Sequence, residues 1–157
     1  MRKEKELLYD ATVDESEIGV KAGNLLKLKG QFLIPEFSVI GTEEFRNYRK
    51  NKRIDEKFAV KLKETLIDFL KKGAVAIRSS GTAEDLPGFS FAGMYTTTLN
   101  LTDMDACLQA IIRSWDSIES DRVKAYCKKM KVPMGEMAVI IQHQLQPSVS
   151  GVMVEVF

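Results

Sequence analysis

The sequence predicts a mixed α/β (α+β) domain, on three observations. Apolar residues recur at helical spacing over long stretches, notably residues 55–72 and 104–118. Between such stretches lie short apolar or β-branched runs of strand length, at 74–77, 91–101 and 137–141. Glycine or proline stands at several of the joins, as at Gly30, Gly73 and Pro133.

Residues 7–9, Leu-Leu-Tyr, read as a short opening strand, followed by an acidic stretch at 14–17. A helix is expected over 20–28. Ala22, Leu25 and Leu26 share one face there, with Lys21, Asn24 and Lys27 between or beside them, and Gly30 is a natural stop. Over 33–40, Pro35 bars an early central-strand position, while Phe37 and Val39 alternate as strand residues do. Thr42 reads as the N-cap of the next helix, with Glu43 and Glu44 in a first turn whose dipole favours acids. A capping box is absent, because Phe45 stands three residues on. Residues 55–72 form a longer amphipathic helix with Phe58, Leu62, Leu66, Phe69 and Leu70 on one side, closed by Gly73.

Residues 74–77 read as a buried strand that runs straight into a polar loop, Arg78-Ser79-Ser80-Gly81-Thr82. Thr96, Thr97 and Thr98 favour a strand within 91–101. Met104, Cys107, Leu108, Ile111, Ile112, Trp115 and Ile118 then mark a long helix with its Trp face inward. A further helix over 120–131 ends before Pro133, and 137–141 and 152–157 read as strands. Internal repeats, low-complexity tracts and an interdomain linker are not evident.

Composition narrows the function. The length of 157 residues suits one domain, or one domain plus a fragment, and 45% hydrophobic content supports a sizeable core. With 23 basic and 22 acidic residues the formal net charge is +1, which gives no basic footprint for a nucleic-acid partner. No stretch approaches the roughly 20 apolar residues that span a bilayer, so no membrane partner is expected. The charged N-terminus lacks the apolar segment of a signal peptide. Cys107 and Cys127 have neither CxxC spacing nor a disulfide framework, and two free thiols point to the cytoplasm. The chain stops inside an apolar, strand-like run at 151–157, so residues 1–157 are expected to be part of a longer domain, incomplete at the C-terminus.

Three segments carry candidate chemistry. In Gly19-Val20-Lys21-Ala22-Gly23-Asn24-Leu25, a glycine and a lysine at a helix start offer unpaired N–H groups and a mobile positive charge to a phosphate. The spacing is not that of a P-loop, and a solvated lysine on an amphipathic helix is the favoured reading of this segment taken alone. In the second segment, 75–86, a buried strand places the Arg78 guanidinium at its mouth, where phosphate oxygens suit bidentate bonding. Arg78 pairing with Glu84 or Asp85 merely to hold the loop is the competing reading. In the third, 87–98, Gly88 and Gly93 among hydroxyl residues suit a mobile loop that approaches a nucleotide, or a plain hairpin turn. His143, the one histidine, has no paired acid or nucleophile and reads as structural, and no catalytic triad or metal-ligand cluster stands out.

Taken in order, the segments resemble the N-terminal nucleotide-binding domain shared by phosphoenolpyruvate synthase, pyruvate phosphate dikinase and rifampin phosphotransferase. Gly19 to Leu25 is similar to that family's Gly-Gly-Lys-x-x-Asn-Leu. The strongest match is Val75 to Leu86 with Ser90 to Gly93 and Thr97 to Asn100, close to its Val-Arg-Ser-Ser-x-Thr-Ala-Glu-Asp-Leu, Ser-Phe-Ala-Gly and Thr-x-Leu-Asn. Trp115, Ser117, Asp121 and Arg122 continue it, then Ala138 to Leu145 and Ser150-Gly151-Val152.

The resemblance implies an ATP-grasp-like fold, of which this chain is the N-terminal part. It implies that Lys21 and Arg78 contact ATP phosphates, that a loop including Ser90, Gly93 and Thr97 folds over them, and that backbone near Gln142, Gln144 and Leu145 sits beside adenine. Mg²⁺ is implied as a cofactor, held by carboxylates beyond this chain. The implied partners are ATP, the remaining half of the domain, and a separate domain bearing the phosphoryl-accepting histidine. No catalytic residue is assigned here, and the chain alone is not expected to be catalytically competent. Departures from the family pattern are Val20 for a second glycine, which would stiffen the turn before Lys21, Glu36 for a glycine, Thr96 for an acid and Gln144 for methionine. The alternative is a non-catalytic binding or regulatory module that kept the fold.

Overall fold

The computed structural model describes residues 14–84, 91 and 93–151. The strands expected at 7–9 and 152–157 lie outside those residues. Element order is α1 (Glu15–Leu28), β1 (Phe37–Ile40), α2 (Thr42–Asn51), α3 (Glu56–Lys72), β2 (Val75–Gly81), β3 (Thr97–Leu101), α4 (Met104–Ser117), α5 (Asp121–Met130) and β4 (Met137–His143). The four strands form one sheet in the order β1-β4-β2-β3, with every neighbouring pair antiparallel. A mixed α/β architecture is therefore present, as the alternation of periods predicts.

Alternation along the strands divides the core between the two sides of the sheet. On one side Val75, Ile77, Met137, Val139 and Ile141 meet Phe45 and Tyr48 of α2, Leu62, Leu66 and Phe69 of α3, and Ile111 and Trp115 of α4. Trp115 is 1% exposed, its ring 5.0 Å from that of Tyr48, so it is core as its helical spacing predicts. On the other side Phe37, Val39, Ala138 and Ile140 meet Ile18, Ala22 and Leu26 of α1. Helix α1 covers β1, β4 and the end of β2 but leaves β3 open, where Thr97 is exposed and Leu99 is 52% exposed. A smaller cluster of Ala83, Phe91, Val123 and Cys127 packs α5 under the exit of β2. Both cysteines are free and buried, and burial pushes the Cys107 thiol up to about 11, with Asp103 adding to the shift. No helix among the described residues is long and apolar enough to cross a membrane.

The helix starts follow local chemistry. Asp55 accepts from the N–H groups of Lys57 and Phe58 at 3.0 and 3.2 Å, Asp103 from Ala106 at 2.8 Å, and Ser120 from Val123 at 3.4 Å. Thr42 breaks the expectation. Gly41 is the N-cap and makes no side-chain bond, while Thr42 is the first helical residue. Its hydroxyl donates to the Ser16 carbonyl at 3.2 Å, a tertiary partner that outcompetes the capping bond.

Strand β2 differs most from the sequence reading. Arg78, Ser79, Ser80 and Gly81 are strand, not loop, and pair with Ile140, Val139, Ala138 and Met137 of β4. A polar run can lie in a central strand when its backbone is paired, as β4 pairs this one throughout. The Ser80 hydroxyl is bonded to α1, whereas the buried Ser79 Oγ has no hydrogen-bond partner among the described residues. Strand β3 begins only at Thr97, later than expected, and its register with β2 shifts between Val75 and Ile77 near Asn100, whose φ is 56°. Helix α1 starts at Glu15, five residues earlier than the apolar spacing suggests, because it runs through a kink at Gly19.

Candidate functional site

The site is built where α1 crosses the end of β2. Gly19 has φ 74° and ψ 165°, which lies outside the helical region. A Cβ on Gly19 would stand 2.1 Å from the Ser80 carbonyl oxygen, so only glycine lets helix and strand approach this closely. The kink separates the Ile18 carbonyl from the Ala22 N–H, which a continuous helix would bond to each other. Ser80 takes both places, its hydroxyl donating to the Ile18 oxygen at 2.8 Å and accepting from the Ala22 N–H at 3.0 Å. Ser80→Ala is expected to strand both buried groups and cost about 1–3 kcal/mol in urea unfolding. A loss under about 0.5 kcal/mol would show that the kink does not need the hydroxyl.

The kink sets Lys21 over the end of β2. Its ammonium donates to the Ser79 carbonyl at 3.4 Å and forms an ion pair with Glu84. The Glu84 side chain is 8% exposed against 35% for Lys21, and its second carboxylate oxygen accepts from the Gly81 N–H at 3.3 Å. Val20 does not disturb this arrangement. The non-helical conformation belongs to Gly19 alone, and position 20 is an ordinary helical residue, so a second glycine is not required there.

Arg78 lies on the same side of the sheet as α1, inside β2 rather than at its mouth. Its Nη1 donates to Gln142 Oε1 on β4 at 2.8 Å, and Gln142 Nε2 donates to the Pro35 carbonyl at 3.3 Å. Glu84, weighed in the sequence as an Arg78 partner, is bonded to Lys21 instead. Thr97 is the cross-strand partner of Arg78 on β3. Arg78, Gln142 and Thr97 are thus brought together on three adjacent strands, with Lys21 further along β2.

Gln144 and Leu145 sit at the opposite end of that line. The Gln144 N–H donates to the Ala74 carbonyl at 2.9 Å, and its side chain meets the Asn100 N–H at 3.5 Å and the Leu145 carbonyl at 3.1 Å. Leu145 is 60% exposed. Gly93 has φ 69° and open space where a Cβ would stand, and its carbonyl accepts from Arg122 of α5 at 3.4 Å. Ser90 lies outside the described residues. Glu36, where a glycine is common, finds an exposed partner in Lys72 at 2.6 Å. The sequence reading missed Ser80 and Glu84 as builders of the site, although both stand inside the motif that carries Arg78. Their partners are 62 and 63 positions away along the chain (Ile18 and Lys21), which no local pattern reveals.

Among the described residues no three His, Cys, Asp or Glu side chains come together as a metal site would require.

Residues 66–156, more than half of the chain, match the family described as pyruvate phosphate dikinase, AMP/ATP-binding domain. The chain belongs to this family. An uncharacterized phosphotransferase of Bacillus subtilis is 30% identical over 167 residues, covering 93% of this chain and 20% of the relative. A rifampicin phosphotransferase of the same organism is 41% identical over 90 residues, 56% of this chain and 10% of the relative. A probable phosphoenolpyruvate synthase of Archaeoglobus fulgidus is 38% identical over 85 residues, 53% of this chain and 11% of the relative. The chain thus spans a fifth or less of the length of these curated relatives. The part matched to the dikinase AMP/ATP-binding domain runs from within α3 through β4, so it contains Arg78, Thr97, Gln142 and Gln144. Lys21 lies N-terminal to it.

Proposed function

We propose that the chain is the N-terminal portion of an ATP-grasp-like nucleotide-binding domain in a dikinase-type phosphotransferase. In this reading it cradles ATP phosphates for transfer to a histidine on another domain. The observation that carries the reading is the placement of Lys21 and Arg78 along one side of β2, next to a strand that α1 leaves open on that side. Arg78 has a planar guanidinium whose partner among the described residues is the neutral Gln142 amide, which leaves its charge available to phosphate oxygens. From Ala74, where Gln144 is anchored, to Ser79, where Lys21 is anchored, the strand covers about 17 Å at roughly 3.4 Å per residue. That length suits an extended nucleoside triphosphate with adenine near Gln142, Gln144 and Leu145 and its phosphates near Arg78 and Lys21. Ser90, Gly93 and Thr97 would belong to the loop over the phosphates.

Phosphoryl transfer is chiefly positioning and charge stabilisation, so two fixed cations supply part of the requirement. Mg²⁺ would be held by carboxylates beyond this chain and would neutralise phosphate charge. The rest of the domain, the histidine-bearing domain and a cytoplasmic setting complete the reading. A second reading, a non-catalytic binding or regulatory module, draws on one feature: Lys21 is already engaged by Glu84.

Calorimetric titration of Mg-ATP into the chain, with Lys21→Ala and Arg78→Ala alongside, tests the proposal. Loss of a charge-assisted phosphate contact at Arg78 is expected to weaken binding roughly 10- to 100-fold. No detectable binding by a demonstrably folded chain would reject nucleotide capture by this part alone and favour the second reading.

A further inference from the structure

We propose that Glu84 is a positioning residue that holds the Lys21 ammonium in place for phosphate. The proposal rests on the nucleotide reading of the site. An ammonium has three donors and no acceptor. Two acceptors at the end of β2 engage Lys21, the Ser79 carbonyl and the Glu84 carboxylate, which leaves one donor and a third of the side chain accessible. Glu84 is itself fixed. Its side chain is buried, its second oxygen accepts from the Gly81 N–H, and its carbonyl accepts from the Phe91 N–H at 3.4 Å. The preceding residue, Ala83, packs with Phe91, Val123 and Cys127. A flexible four-carbon side chain is thereby tied to a rigid strand end, and the entropy of ordering it is spent in folding rather than in binding.

The ion pair also explains why a lysine on an otherwise solvated helix face points toward the sheet. Lys27, two turns on, is 64% exposed and reaches back to Glu15 instead. A carboxylate buried beside a phosphate site is costly unless a cation neutralises it, so Glu84 and Lys21 are retained or lost as a unit.

The test uses the full chain with Glu84→Ala and Glu84→Gln, and two readouts. The first is the ¹H–¹⁵N correlation of the Lys21 ammonium, which needs no nucleotide. The wild-type chain is expected to show a slowly exchanging signal that Glu84→Ala abolishes. The second is Mg-ATP affinity, expected to fall about tenfold in Glu84→Ala and to be largely retained in Glu84→Gln, whose amide oxygen can still accept from Lys21. Folding of each variant is checked by circular dichroism; should Glu84→Ala not fold, Glu84→Gln and Glu84→Met carry both readouts. A folded Glu84→Ala chain with unchanged Mg-ATP affinity, while Arg78→Ala binds weakly, would overturn the proposal. So would a Lys21 signal indifferent to Glu84. A Glu84-dependent signal in a chain that fails to bind Mg-ATP would support the hold on Lys21 and overturn the nucleotide reading, so the two fail separately.

Discussion

Replacing Gly19 with alanine is expected to remove about 4 kcal/mol of stability, the largest single-residue effect at the site. Two costs combine. A non-glycine residue held at φ 74° and ψ 165° loses about 1–3 kcal/mol in backbone strain. The added Cβ would also meet the Ser80 carbonyl at 2.1 Å, and that atom belongs to the backbone of a central strand. It cannot rotate away as a side chain would. Relief requires α1 to lift from β2, which breaks both Ser80 hydroxyl bonds at about 1 kcal/mol each. Native domains hold only about 5–15 kcal/mol in all, so the variant sits near the folding threshold. Urea unfolding followed by far-UV circular dichroism measures the loss. A variant within about 1 kcal/mol of wild type would mean that α1 accepts another path across the sheet.

Lys21→Ala is expected to destabilise the chain by about 2 kcal/mol, and Lys21→Ala combined with Glu84→Gln to recover most of that. Removing the cation leaves a buried carboxylate whose remaining donor among the described residues is the Gly81 N–H. Breaking a fully buried pair costs about 3–5 kcal/mol. The lower figure applies because a third of Lys21 is exposed and water reaches the site once the side chain is cut back. Neutralising Glu84 removes the unpaired charge, so the double variant should lie closer to wild type than the single one. A double-mutant cycle in urea reads the coupling directly. Purely additive losses would show that the two side chains touch without mutual dependence. The same result governs how nucleotide binding by Lys21→Ala is interpreted, because lost affinity counts only where the chain is still folded.

Much of the fold was legible because its signals are local. Helix α3 could be read from Phe58, Leu62, Leu66 and Phe69, with Gly73 after it, and these act as their spacing implies, while Asp55, read as its first residue, is its N-cap. Trp115 and Ile111 belong to the core for the same reason. Thr42 misled because its hydroxyl prefers the Ser16 carbonyl, a contact made only after α1 and α2 meet. The polar run Arg78-Ser79-Ser80 misled more seriously. In isolation it has loop composition, and only pairing with β4 and β3 and the crossing of α1 make it a strand.

By itself, the sequence determined the alternation of helices and strands, the residues of the core, and the family, because periodicity, capping and a distinctive motif are properties of neighbouring residues. Tertiary structure decided how Lys21 is held, that Glu84 pairs with it rather than with Arg78, and that Gly19 rather than position 20 carries the kink. It also decided that Gln142 turns its amide to Arg78 and Pro35. These outcomes depend on which backbone groups are left unpaired when α1 meets β2, and on which charges are buried together there. Both are settled by contacts across sixty or more residues of chain, and no local rule encodes them.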